Sequence, residues 1–345
     1  MAELTAPGGG RSVGGWASTS GARWASRNAR ILAPLVTLAA MFIFFSFATD
    51  VFLTTRNLQN VITQVGPIAV AATGITFVLL CAEIDLSIAS ISTFSGIIVA
   101  TLWIGERYGD FGNWGIVIAA VIAAGLGLIN GFFIAYVGIP SFMMTLAMLT
   151  IARGLATYVS EGKPLSPIPN GLKELASAAN RFYGIPYIGL FAIGVLIAGE
   201  IVLSYTKFGR YVYMTGGNRE AAEMSGVNTR QVIMFTMMIS GLTAGVAGML
   251  FVGRLSSANP AAGTNVLIDT IAAVVLGGTS LFGGEGGIKN TVLGLLIFAV
   301  LSNGLNLLPD LSIYFKEALQ GIILLCALLL NVIALRLEKV QTRTE

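Results

Sequence analysis

Long, almost uninterrupted apolar runs dominate this chain, and no other feature restricts its fold as strongly. Roughly ten stretches carry about 17–25 mostly apolar residues each, the length an α-helix needs to cross a bilayer core. Their approximate limits are 31–50, 58–80, 86–104, 114–137, 142–159, 186–205, 230–253, 268–282, 290–308 and 313–335. The seventh to ninth are rich in glycine, and the eighth is short enough to be tilted or broken. Composition agrees: 11% of the 345 residues are charged, against roughly 25% in soluble domains. The 42 glycines suit the close approach of helices in a membrane. The expected fold class is therefore all-α, a polytopic membrane protein with about ten transmembrane helices.

Lysine and arginine set the orientation, because they concentrate in cytoplasmic loops. Arg11, Arg23, Arg27 and Arg30 precede the first run. Lys207, Arg210, Arg219 and Arg230 lie between the sixth and seventh, Lys289 between the eighth and ninth, and Arg336, Lys339 and Arg343 after the last. Both termini are then cytoplasmic, with residues 1–30 and 337–345 as tails and 31–336 as the transmembrane domain. Trp103, Tyr108 and Trp114 bracket an outer loop as interfacial anchors. The outer segment 160–185 begins with Pro164, Pro167 and Pro169, and Leu172, Leu175, Ala179 and Phe182 then recur at helical spacing. That spacing predicts a short amphipathic helix.

One cytoplasmic stretch, "MTGGNREAAEMSGVNT" at 214–229, is unusually polar for this chain. Asn218 suits a helix N-cap and Gly226 the left-handed residue past a helix end. Ala221, Ala222 and Ser225 make a small flat face, and Glu220 and Glu223 are three apart on another. A helix of two turns is unstable alone, so it needs a surface to rest on, or else the stretch is a solvated loop.

These residues resemble the cytoplasmic coupling segment of binding-protein-dependent ABC sugar permeases of the ribose and xylose type. "CAEIDLSIASI", "IPSFMMTLAMLTIARGLA", "KFGRYVYMTGGNREAAEMSGVN", "ISGLTAGVAGML", "SANPAAGT", "LIDTIAAVVLGGTSLFGGEGG" and "LSNGLNLL" are similar to that family's motifs and follow in its order. The resemblance spans about residues 55–335. The chain departs from the pattern at Glu83, where the family often has glycine. The resemblance implies a coupling segment over 206–229, with Arg210, Gly217, Asn218, Glu220, Ala221, Ala222, Ser225 and Gly226 contacting a separate cytoplasmic ABC ATPase. ATP and magnesium would sit on that partner, and no cofactor or metal on this chain. It also implies an external (periplasmic) sugar-binding protein and a second permease chain, identical or a paralogue. The sequence agrees that this chain hydrolyses no ATP. Its nearest approach to a phosphate loop, "GGEGGIKNT", has Lys289 out of frame.

Polar residues within the apolar runs are the candidates for a substrate pathway. Asp85, Glu83, Phe94, Asn130, Phe142 and Asn303 form the candidate set. Asp85 reads first as a cap of the third span with Ser87 and second as a pathway residue, and Asp269 reads as a cap of the eighth span. Asn130, Thr145, Glu200, Thr279, Asn303 and Asn306 suit interhelical hydrogen bonds, and Phe298 suits packing. An ion-coupled secondary transporter using Glu83, Asp85 or Glu200 is the alternative. A membrane enzyme is disfavoured, since the chain has no histidine and no metal cluster or nucleophile–base pair at usable spacing. A net charge of +3, placed at helix ends, gives no nucleic-acid patch.

Overall fold

A computed structural model describes residues 29–106, 108–261, 264–309, 312, 314–326 and 329. Its first half runs α1 (Ala29–Ala48), α2 (Thr55–Leu80), α3 (Ile88–Ile104), α4 (Trp114–Phe132, continued by a π-helical turn, Phe133–Val137) and α5 (Ser141–Ser160). A short α6 (Asn170–Ala176) and a two-stranded hairpin, β1 (Arg181–Phe182) and β2 (Ile185–Pro186), precede α7 (Tyr187–Tyr205). Then come α8 (Lys207–Gly217), α9 (Arg219–Met224), α10 (Thr229–Leu255), α11 (Thr264–Leu276), α12 (Ile288–Leu307) and α13 (314–326). The fold is helical, with 76% of the described residues in helix. Among the described residues, six helices are long and apolar enough to cross a membrane: α2, α4 with its π turn, α5, α7, α10 and α12.

Close packing of α10 organises the bundle. A Cβ on Gly127 of α4 would lie 2.3 Å from the Met237 carbonyl oxygen, and one on Gly241 of α10 would lie 2.5 Å from that of Ala123. Both are far inside van der Waals contact, so the two backbones touch only because neither residue has a side chain. The hydrophobic core gathers around α2, α3 and α10, with Ile75, Ile91, Ile97, Met237 and Leu250 nearly inaccessible. By contrast α4, α5 and α7 turn Val121, Leu146, Ile151 and Ile197 outward, which suits a hydrocarbon surround better than water.

The bundle has two distinct ends. At one, the start of α2 meets the hairpin: Gln59 Nε2 donates to the Gly184 carbonyl (3.0 Å), and Arg181 Nη1 donates to Gln59 Oε1 (2.9 Å). Leu165 and Ala258 exchange backbone hydrogen bonds there. At the other, the α2–α3 junction, the α8–α9 segment and residues 277–287 come together. These are called the hairpin end and the hook end below.

Three expectations need correction. The amphipathic helix of 160–185 contains Leu172 and Leu175, but it stops at Ala176, and Ala179 and Phe182 lie outside it. Phe182 is exposed in the hairpin instead. The eighth run, placed at 268–282, is helical over Thr264–Leu276 only. Beyond it "GGTSLFGGEGG" carries Gly278, Gly283, Gly284, Gly286 and Gly287 at positive φ, a conformation that ends a helix because it is accessible mainly to glycine. Asp269 therefore sits inside α11 and caps nothing. Most of the terminal tails, and the last run beyond 329, fall outside the described residues.

Candidate functional site

The break between α2 and α3 is built on a buried carboxylate. The chain reverses after Leu80 through Ala82, at φ 59, and restarts as helix at Ile88. Asp85 is 1% exposed. Its Oδ1 accepts from the backbone N–H (2.9 Å) and the hydroxyl of Ser87, and its Oδ2 accepts from Ser240 Oγ (2.7 Å) on α10. Asn130 Nδ2 on α4 donates to Ser87 Oγ at 3.0 Å. From the start of α5, Ser141 Oγ accepts from the Ile84 N–H (3.1 Å), and Thr145 Oγ1 donates to the Ile84 carbonyl (3.3 Å). Helices α4, α5 and α10 thus each contribute a partner, as buried polar groups require, while Asn130 Oδ1 has none among the described residues. The break is a fixed junction.

The hook lies directly against this junction. Thr206 caps α8 by accepting from Gly209 N, and Asn218 caps α9 by accepting from Ala221 N at 3.0 Å. Gly226, at φ 82, turns the chain out of α9. Ala222 and Val227 bury the inner face of the hook among Phe77, Leu80, Cys81, Val212 and Ile288. Gly216 is pressed onto the end of α2, where a Cβ would lie 1.8 Å from the Leu80 carbonyl oxygen. That carbonyl also accepts from Gly284 N at 3.0 Å. Tyr213 donates its hydroxyl to the Gly286 carbonyl at 2.9 Å. Arg219, half exposed at the start of α9, pairs with the buried Glu83 of the junction. Glu83, Leu80 and the 277–287 loop are thereby tied to one short segment.

The outer face of the hook is bare. Glu220, Ala221, Glu223, Ser225 and Gly226 are exposed, and Met224 is 91% exposed. Glu223 is held by Thr229 Oγ1. Arg210 and Gly217 are exposed on α8. Sequence reasoning passed over Met224, although two residues beyond a buried Ala222 is the opposite side of a helix. It also passed over Tyr213, Ser141 and Ser240, which carry no motif of their own and matter only through the packing.

The structure separates the candidate pathway residues. Asp85 and Asn130 share one network through Ser87, and Glu83 belongs to the hook. Phe94 and Phe298 are buried in core clusters, whereas Phe142 is exposed on α5. Asn303 exchanges hydrogen bonds with Asn57 (3.0 and 2.8 Å), joining α12 to the start of α2. Thr279 Oγ1 accepts from Gly287 N inside the loop after α11. Glu200 on α7 takes Ser204 and Lys289 as partners, at 2.7 and 3.3 Å.

Comparison with known proteins places the chain. The ribose import permease protein of Escherichia coli strain K12 is 35% identical, over 89% of this chain and 94% of its own length. The ribose import permease protein of Bacillus subtilis strain 168 is 36% identical over 87% and 92%. The xylose transport system permease protein of Escherichia coli strain K12 is 29% identical over 88% and 91%. No solved structure matches. Residues 57–328, which include the junction and the whole hook, match the family described as "Branched-chain amino acid transport system / permease component". The chain belongs to that family of permease components.

Proposed function

We propose that this chain is the membrane permease of an ATP-driven importer and that its cargo is a simple sugar, a pentose, hexose or related compound. The hook carries this reading. Six residues of helix do not hold together alone, and α9 is held by Ala222, Asn218 and the Arg219–Glu83 pair, yet it leaves Met224 and its small neighbours uncovered. A rigid bare tip, locked to the junction of two buried helices, suits a push delivered by another protein. The names of the relatives favour a sugar: those cited above are ribose and xylose permeases, and they align over most of their length.

In this arrangement α1–α5, α7 and α10–α13 are ten spans with both termini cytoplasmic and the hook end inside. The lysines and arginines of 206–229 support that placement. The domain limits are those read from sequence, 31–336 for the transmembrane part, 160–185 external and 206–229 coupling. An external binding protein delivers the sugar, and a cytoplasmic ATPase holds ATP and magnesium. A second permease chain, identical or a paralogue, completes the assembly that the resemblance implies. No observation favours the ion-coupled alternative: Glu83 and Glu200 are engaged by Arg219 and Lys289, and Asp85 by Ser87 and Ser240.

Cysteine at Ala221 or Met224 tests the reading. In the assembled transporter either should crosslink to the ATPase, and reaction of these positions with an impermeant reagent from outside the cell would overturn the proposal. Met224→Glu should leave the stability of the chain within about 0.5 kcal/mol while weakening ATPase assembly roughly tenfold. An arginine at Ala222 would be a poorer probe, because Ala222 is 2% exposed and its replacement unseats the hook itself.

A further inference from the structure

The hairpin end holds three adjoining cavities that share their walls. One, of about 280 Å³, lies between α2, α10, α11 and α12 and is lined by Gln64, Arg254, Asp269, Ser302 and Asn306 among apolar neighbours. It shares Gln64 and Arg254 with a second of about 350 Å³, which opens beside Lys173 and Ser256. It shares Asp269, Ser302 and Asn306 with a third of about 350 Å³, which reaches Glu317 and Gln320 on α13. Together they form one chamber within the range of small-ligand sites, roughly 300–1,000 Å³.

Many polar side chains elsewhere between the helices are paired within the protein, although Ser95, Asn130, Thr215 and Thr270 each keep one buried atom without a partner among the described residues. Asn57 pairs with Asn303, Thr76 with Thr291, and Asp85 with Ser240. Among the described residues, no hydrogen bond or salt bridge reaches the side chains of Gln64, Arg254, Asp269, Ser302 or Asn306. Taking an arginine and an aspartate partly out of water without partners is unfavourable, so something else in the chamber meets them. Arginine only donates, ionised aspartate only accepts, and glutamine, asparagine and serine do both. A ring of hydroxyl groups, each donor and acceptor, matches all five. An apolar amino acid would engage the two charges and leave the amides and the serine facing hydrocarbon.

We propose that Gln64, Arg254, Asp269, Ser302 and Asn306 form a transit site for a neutral polyhydroxylated solute of monosaccharide size. The assignment rests on the sugar-import reading and moves the pathway away from the Glu83–Asp85 junction. It also gives Asp269 a role that its position inside α11 otherwise leaves unexplained.

The test uses the complete transporter in proteoliposomes, with ribose and xylose as probes and Cys326→Ser as background, since Cys81 is buried and Cys326 exposed. Ser302→Cys should react with an impermeant thiol reagent, either pentose should slow that reaction severalfold, and the modified transporter should lose uptake while still turning over ATP. Asp269→Asn should raise the sugar concentration for half-maximal uptake roughly tenfold, the loss expected for a hydrogen bond to a charged group, with ATP turnover unchanged. Labelling indifferent to sugar, together with wild-type uptake by Asp269→Asn and Arg254→Gln, would overturn the transit site and leave the importer standing. A wild-type transporter that moves no pentose or hexose with ATP would instead bring down the sugar reading, and this assignment with it.

Discussion

The junction at the hook end and the chamber at the hairpin end treat their polar groups in opposite ways. At the hook end Asp85, Glu83, Asn130, Ser87 and Tyr213 are each engaged by a partner on another segment. At the hairpin end Gln64, Arg254, Asp269, Ser302 and Asn306 line open space with no protein partner among the described residues. A densely bonded network resists deformation, because moving one member leaves others unsatisfied at about 1–3 kcal/mol each. An unsaturated one is free to exchange water for solute. The contrast divides the labour of transport, with one end built to carry force and the other to receive cargo.

The sharpest way to break this comparison is Gly216→Val. The added side chain would meet the Leu80 backbone carbonyl, which has no rotamer into which it can retreat. Overpacking usually costs about 1–3 kcal/mol; here we expect about 4 kcal/mol, in the range reserved for severe lesions, with loss of ATP-coupled uptake. Thermal unfolding in detergent measures the first effect and proteoliposome uptake the second. A variant of normal stability and activity would mean that the hook is not seated on α2.

Two aspartates test the contrast itself. Asp85→Ala strands Ser240 and the Ser87 hydroxyl in the interior and should cost roughly 3 kcal/mol of stability. Asp269→Ala removes a carboxylate with no protein partner and should cost less than about 0.5 kcal/mol, since only a desolvated charge is lost. Equal losses would erase the distinction between the ends.

The Glu83–Arg219 pair sharpens the account of force transmission. Arg219 is half exposed, so solvent screening holds the coupling energy of a double-mutant cycle near about 1 kcal/mol. Its functional effect should be larger than that figure suggests. Glu83→Gln should raise the ATP consumed per sugar imported, and Glu83→Arg combined with Arg219→Glu should restore much of it. Failure of the swapped pair to restore coupling would reduce the contact to local packing.

Much of this was legible in the residues before any coordinates. Apolar run length located helices because membrane spans are set by one physical dimension, and Asn218 and Gly226 marked the limits of the short helix by their own capping chemistry. The eighth run was misplaced at its end because glycine-rich apolar sequence has the hydropathy of a helix and the backbone freedom of a loop, and only the positive φ values separate the two. Asp85 was readable as either cap or pathway, since its partner Ser240 is 155 residues away. The Glu83–Arg219 contact spans 136 residues, a separation at which no local pattern speaks. The chamber was invisible for a further reason: its five polar residues come from α2, α10, α11 and α12, and only the packing of those four helices brings them together.

The smallest expected effect concerns Glu200 and Lys289, an ion pair at 3.3 Å between α7 and the first turn of α12. Lys289 is 84% exposed and Glu200 23%, and Ser204 already donates to the same carboxylate oxygen. Water and Ser204 together can take over from the lysine. Lys289→Ala should therefore change stability by no more than about 0.5 kcal/mol and leave uptake as it is. Glu200→Gln should behave alike, because the amide oxygen still accepts from Ser204. A strong dependence of uptake on an imposed ion gradient in wild type, abolished by Glu200→Gln, would instead make this carboxylate a cation site. The force-bearing end of the bundle would then be doing chemistry of its own.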